Sequence, residues 1–179
     1  MTDAPPTPLV LSHRLGLDPP GQVLDNSLDL QLTAEERTRL RGHRRSRCGV
    51  DLLLQLPRGE ALRPGEWLGS EDGRHRVRVA PALEPLLRVR SSEPLALLRA
   101  SYHLGNRHVA LELREGELRL LADPVLEDLL RQRGLEVRPC LEPFLPDSGA
   151  YDVGSAHHPP HHHPGARPPH GEMADDSVV

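Results

Sequence analysis

Residues 86–144 read "LLRVRSSEPLALLRASYHLGNRHVALELREGELRLLADPVLEDLLRQRGLEVRPCLEPF". "LLRVRS" has the texture of a strand. "SEPLALLRASYHLG" predicts a helix, with Ser92 as its cap, Pro94 in its first turn and Gly105 as its stop. "VALELREGELRLLA" predicts two strands around "REGE", whose glycine belongs in a hairpin turn. "DPVLEDLLRQRG" predicts a second helix, capped by Asp123, opened by Pro124 and closed by Gly134. Its apolar face would be Val125, Leu126, Leu129 and Leu130. "LEVRPCLEPF" supplies a last strand, alternating at Leu135 and Val137. Both helices begin with a capping residue, a proline and then an apolar residue, a faint internal repeat. The order is β-α-β-β-α-β, which is that of a ferredoxin-like split.

Upstream the texture changes. "VLDNSLDLQLT" alternates at Leu28, Leu30 and Leu32, "VDLLLQLP" is an apolar run stopped by Pro57, and "RHRVRVA" alternates again. Pro-Gly and Asp-Gly turns punctuate "RGEALRPGEWLGSEDG". Short strands at this spacing predict a small β-domain. Downstream, "SGAYDVGSAHHPPHHHPGARPPHGEMADDSVV" has almost no large apolar residues, so it lacks the burial needed to offset its ordering entropy. The expected fold class is therefore α+β. Residues 1–80 form a small N-terminal β-domain, 81–147 a ferredoxin-like domain, and 148–179 a disordered His-rich tail.

Composition removes several function classes. The chain has 179 residues, of which 37% are hydrophobic and 27% charged, the balance of a soluble protein with modest cores. Trp67, Phe144, Tyr102 and Tyr151 are its only aromatics, so the cores rest on Leu, Val and Ala. No run approaches the roughly 18 apolar residues of a membrane span. The N-terminal residues lack a basic stretch followed by an apolar one, so no secretory signal is expected. Cys48 and Cys140 sit in no C-x-x-C pair. They read as buried or half-buried thiols in a reducing, cytoplasmic setting. The net charge of −4 lies wholly from Asp147 onward, where five acids face Arg167 alone. Every basic residue is Arg and none is Lys. A neutral body argues against nucleic acid as a partner. No G-x-S-x-G, G-x-x-x-x-G-K-[ST] or G-x-G-x-x-G occurs, and no carboxylate pair has a catalytic context, so an enzyme is not expected.

Histidine is where chemistry concentrates. Six of the 11 lie in the tail: His157, His158, His161, His162, His163 and His170. Imidazoles clustered in an open, proline-rich chain are suited to capturing Ni, Cu, Zn or Co. His103 and His108 flank Gly105-Asn106. Five residues apart, they diverge by roughly 140° even on a continuous helix, so they do not chelate one ion as an i, i+4 pair does. By pattern alone His108 is a surface or capping residue at a helix-to-strand corner. It could also be a single ligand, completed by its own copy across a two-fold axis. His13, His43 and His75 match no motif and read as solvated.

The stretches "YHLGNRHVALEL", "GELRLLADPVLEDLLRQRGLEV" and "PFLPDSGAY", followed by the His-rich tail, resemble the UreE family of urease accessory proteins, which are nickel metallochaperones. "LTAEERTRLRGHRRSRCGVDLLLQLPRGEALRPGEWL" is similar to that family's first domain, and the resemblance covers roughly residues 22–165. It implies a homodimer formed through the second domain, and a first domain of the peptide-binding kind. It also implies nickel bound at the dimer axis by His108 of G-N-R-H, with tail histidines completing the coordination. His103 matches a family position whose role is less settled: a further metal ligand, or else a dimer-surface or helix-end residue. The implied partners are a UreG-type GTPase and the urease apoprotein assembly complex. "LLADPVLED" departs from the family pattern, carrying Leu121, Ala122 and Pro124 where some members have extra histidines, so a secondary site there is not expected.

The expected function is capture of Ni2+ and its donation during assembly of the urease metallocentre. Zn2+ or Cu2+ would also bind in vitro, since intrinsic affinity favours Cu over Ni. Binding would weaken as free imidazoles protonate near about pH 6.5. Two other readings remain: a passive metal-buffering tail, and an adaptor or nucleic-acid binder using "RTRLRGHRRSR".

Overall fold

The computed structural model describes residues 7–17 and 27–148. The tail and its six histidines lie outside them. Among the described residues, two sheets and three helices make an α+β arrangement. The first sheet collects β1 (Leu9–Gly16), β2 (Leu28–Leu32), β3 (Arg41–Arg45), β4 (Asp51–Gln55), β5 (Trp67–Ser70) and β6 (Arg76–Pro81) in the order β2-β6-β5-β1-β4-β3. Pairs β1–β4 and β2–β6 are parallel and the others antiparallel. The alternation at Leu28, Leu30 and Leu32 is that of a strand, with Leu30 and Leu32 buried. Leu11, Leu52, Leu54, Leu68, Val77 and Val79 join them in a core without aromatics. Between β2 and β3 lies a short helix, α1 (Ala34–Thr38). Thr33 and Glu36 form a reciprocal capping box at its start, satisfying two helix-end donors.

The second sheet holds β7 (Leu83–Arg90), β8 (Glu112–Arg114), β9 (Glu117–Leu121) and β10 (Glu136–Pro143) in the order β10-β7-β9-β8, every neighbour antiparallel. α2 (Pro94–Gly105) connects β7 to β8 and α3 (Pro124–Gln132) connects β9 to β10. Both helices pack on one face, where Leu87, Val89, Leu104, Leu118, Leu120 and Leu130 form the second core. The opposite face is a lattice of ion pairs. Glu117, 4% exposed, meets Arg119, Arg90 and Arg88, and Glu142 meets Arg119 and Arg88.

The β-α-β-β-α-β order expected from the sequence is present, with local corrections. Ser92 does not cap α2. The N-cap is Glu93, whose side chain makes no capping bond, and Ser91 Oγ accepts from the Glu93 amide instead. Asp123 does cap α3, accepting from the Val125 and Leu126 amides. The hairpin begins at Glu112 rather than Val109, because residues 109–111 are spent leaving the helix. Val125 is 75% exposed and does not join the apolar face of α3. Cys48 is exposed rather than buried, since it sits in the turn between β3 and β4.

Arg37 and Phe144 tie the two sheets together. Arg37 Nη2 donates to the Phe144 carbonyl at 2.8 Å, and Phe144 is fully buried. Nearby, the Ala34 amide donates to Glu84 Oε1 at 2.8 Å, and the Ala82 amide donates to the Leu32 carbonyl. Burial pushes the Arg37 guanidinium below its ordinary range, partly countered by the charge of Glu84.

Candidate metal-binding site

The end of α2 is set by hydrogen bonds that the sequence only half declares. Gly105-Asn106 reads as the stop, yet Gly105 is still helical and Asn106 keeps a right-handed φ of −64°. The reversal comes two residues later. The His108 amide donates to the Gly105 carbonyl at 2.9 Å and the Val109 amide to the Leu104 carbonyl at 3.1 Å. This is the paired closure in which the last residue of the turn goes left-handed. That residue is His108, with φ 56°, the one non-glycine with positive φ among the described residues.

α3 ends the same way. The Gly134 amide donates to Arg131 and the Leu135 amide to Leu130, and Gly134 has φ 77°. Two helices of one sheet thus close by the same device, one with glycine and the other with histidine. A left-handed residue bearing a Cβ costs roughly 1–2 kcal/mol relative to its right-handed form, which glycine avoids. Such a cost in an exposed residue points toward a use for its side chain. The turn projects His108 past the helix end, where it is exposed.

His103, one turn earlier, is half-buried with its ring edge against Tyr102, centroids 5.7 Å apart. Its carbonyl accepts from Arg107 Nη1 at 3.2 Å. The outer face of α2 is unusually apolar. Leu95, Leu98 and Tyr102 are 54%, 65% and 68% exposed, and their spacing places them within one stripe running toward His108. Among the described residues no three or more His, Cys, Asp or Glu side chains converge on a metal position. Among these residues, His103 and His108 are therefore not assembled into a closed site. His13, His43 and His75 are all exposed on the first sheet or its loops. His157, His158, His161, His162, His163 and His170 lie outside the described residues. The left-handed histidine was missed by sequence reasoning. Its signal was the match between "LGNRHV" and "LRQRGL", which align the two helix ends and set His108 against Gly134.

Two sheets, one covered by a pair of helices and the other carrying a short capped helix, define a two-part α+β protein with an imidazole displayed at a helix end. Comparison with known proteins gives this class its family. Residues 13–80 match the UreE urease accessory protein N-terminal domain and residues 84–171 the C-terminal domain. A urease accessory protein UreE of Synechococcus sp. (strain WH7805) is 55% identical over 155 residues, covering 84% of this chain and 86% of the relative. That of Parasynechococcus marenigrum (strain WH8102) is 52% identical over 143 residues, covering 80% and 93%. The chain belongs to the UreE family of urease accessory proteins. No helix among the described residues is long and apolar enough to cross a membrane.

Proposed function

We propose that this chain is a nickel metallochaperone, not itself an enzyme, which captures Ni2+ and donates it during assembly of the urease metallocentre. The observation that carries the reading is the left-handed His108 at the position where the companion helix uses Gly134. In this reading the second sheet and its two helices are a ferredoxin-like domain spanning 81–147, following a β-domain over 1–80. The strand order β10-β7-β9-β8 supports that description. The homodimer joins through the stripe of Leu95, Leu98 and Tyr102, which has no cover among the described residues and leads to His108. Two His108 imidazoles then meet near a two-fold axis, since an isologous contact brings residues near the axis to their own copies.

One imidazole per chain leaves most positions around the cargo ion exchangeable. His157, His158, His161, His162, His163 and His170 raise the local ligand concentration and complete the coordination. His103 diverges from His108 within one chain, so it serves as a separate ligand at the dimer surface rather than as a second ligand to the same ion. Openness suits delivery, because a closed all-protein cage releases metal slowly. The receiving partners are a UreG-type GTPase and the urease apoprotein complex, in the cytoplasm.

Nickel titration calorimetry on three proteins tests this: the intact chain, the chain truncated after Tyr151, and intact His108→Ala. Truncation should lower stoichiometry while leaving a tight site with one nickel per dimer, and His108→Ala should remove that site. If His108→Ala changes nothing while truncation abolishes binding, the protein is a metal-buffering tail on a scaffold, and the chaperone reading fails.

A further inference from the structure

β8 forms one edge of the second sheet, and among the described residues it pairs with no strand but β9. Its other side is nevertheless occupied. The Leu113 amide donates to Asp147 Oδ2 at 2.7 Å, and the Asp147 amide donates to the Leu111 carbonyl at 2.8 Å. One aspartate thus satisfies a donor and an acceptor on the outer side of the strand. Beside it the Leu145 amide donates to Glu112 Oε2 at 3.0 Å, while Arg114 holds Glu112 Oε1. β10 lies at the opposite edge, so residues 144–147 cross the width of the sheet to reach this clasp. The sequence prepares their path. Pro143 and Pro146 fix their own φ, Pro146 keeps Leu145 extended, and the buried Phe144 is held through its carbonyl by Arg37.

The clasp closes on the stretch that carries His108. Val109, Ala110 and Leu111 connect that histidine to β8, and none of the three belongs to a strand. Val109 and Leu111 rest their side chains on the second core. The backbone of the connector is fixed at its start by the Val109 amide on the Leu104 carbonyl, and at its end by the Leu111 carbonyl on Asp147. His108 is exposed, so its imidazole goes where this backbone carries it. Position matters more here than in a site built within one chain. An ion shared across a two-fold axis meets two copies of one imidazole, and a displacement of either is repeated in the other. Such ligand sets must be held to within about 0.5 Å of their working geometry.

We propose that Asp147 is a positioning residue for His108. It does not touch the ion. By gripping Leu111 and Leu113 it holds the strand end from which the connector hangs, and with it the spacing of the two axial imidazoles. The helix closure at Leu104 and Gly105 fixes one end of the corner, and Asp147 fixes the other. The role asks for an oxygen acceptor at this position and does not ask for its charge. The inference rests on the reading of His108 as the axial nickel ligand.

Full-length Asp147→Ala and Asp147→Asn test it, with His108→Ala as the reference and Ni2+ alone as the probe. Asparagine keeps a side-chain oxygen that can accept from the Leu113 amide and loses the charge. Without metal, hydrogen exchange read by NMR should show the Leu113 amide unprotected in Asp147→Ala and protected in Asp147→Asn. In calorimetry, the nickel site that His108→Ala removes should weaken about tenfold in Asp147→Ala and return to the parent affinity in Asp147→Asn. Adding Asp147→Ala to His108→Ala should change nickel binding no further. Parent affinity in Asp147→Ala overturns the proposal while leaving His108 as a ligand. Equal weakening in both Asp147 variants also overturns it, and makes the carboxylate itself a ligand. A further loss in the double variant does the same. If His108→Ala leaves nickel binding unchanged, the axial reading fails and the positioning role falls with it.

Discussion

At the residue scale, His108 carries two properties that a substitution can separate. It occupies a left-handed position, and it presents an imidazole. His108→Gly relieves the backbone and removes the imidazole together. Chemical denaturation should show it more stable by about 1 kcal/mol, while nickel titration should show the proposed axial site lost, as in His108→Ala. A variant that is both more stable and unable to hold axial nickel would show that the chain gives up folding stability at this turn in favour of binding. The two thiols separate in a similar way. The Ser46 hydroxyl, hydrogen-bonded to Cys48 Sγ at 3.2 Å, holds that thiol below the usual range. Burial, followed by the charge of Glu142, pushes Cys140 up. Since the thiolate is the nucleophile, iodoacetamide with mass-spectrometric readout near neutral pH should modify Cys48 well before Cys140.

At the element scale, the two helix starts differ although their sequences look alike. Asp123 satisfies two amides of α3, whereas α2 has no side-chain cap. Asp123→Ala should cost about 1 kcal/mol in denaturant melts, and Ser92→Ala should cost almost nothing. A large loss in the Ser92 variant would contradict the cap geometry. Legibility follows the same physics. β2, β4 and β6 were readable because each buries alternate leucines or valines. β1 was not, because register shifts at Leu11/His13 and Arg14/Gly16 break its two-residue period against β5. β3, "RGHRR", has no large apolar residue for a period to act on, and its strand state rests on pairing with β4. α1 is only five residues long, although Thr33 and Glu36 carried its capping signature. Of the candidate site, His108 was singled out in the sequence through the G-N-R-H motif. Its backbone was not legible, because a left-handed histidine is decided by the closure of the helix rather than by local propensity.

At the scale of the whole molecule, the two sheets meet through Arg37, Phe144, Glu84 and Ala34 rather than through a broad shared core. Arg37→Leu would leave the buried Phe144 carbonyl without its partner, at a cost of about 1–3 kcal/mol. Calorimetry should then resolve two melting steps where the parent chain shows closer coupling. A single unshifted transition in the variant would mean that the junction is held by other contacts.

The ion-pair lattice on the open face of the second sheet makes stability one-sided in pH. Burial alone would raise the Glu117 carboxyl, but hydrogen bonds from Arg119 and Arg90 and the nearby guanidinium charges overcome it and hold it below the ordinary carboxylate range. The stabilisation is complete above the unfolded value, about 4.3, and is lost as acid reaches the lower folded value. The cationic half of the lattice is guanidinium throughout, and Arg119 is pushed higher still, its neighbouring carboxylates outweighing burial. Guanidinium keeps its proton well beyond the pH at which an ammonium would yield. A protein assembled this way meets rising alkalinity with its salt lattice intact and fails first on the acid side.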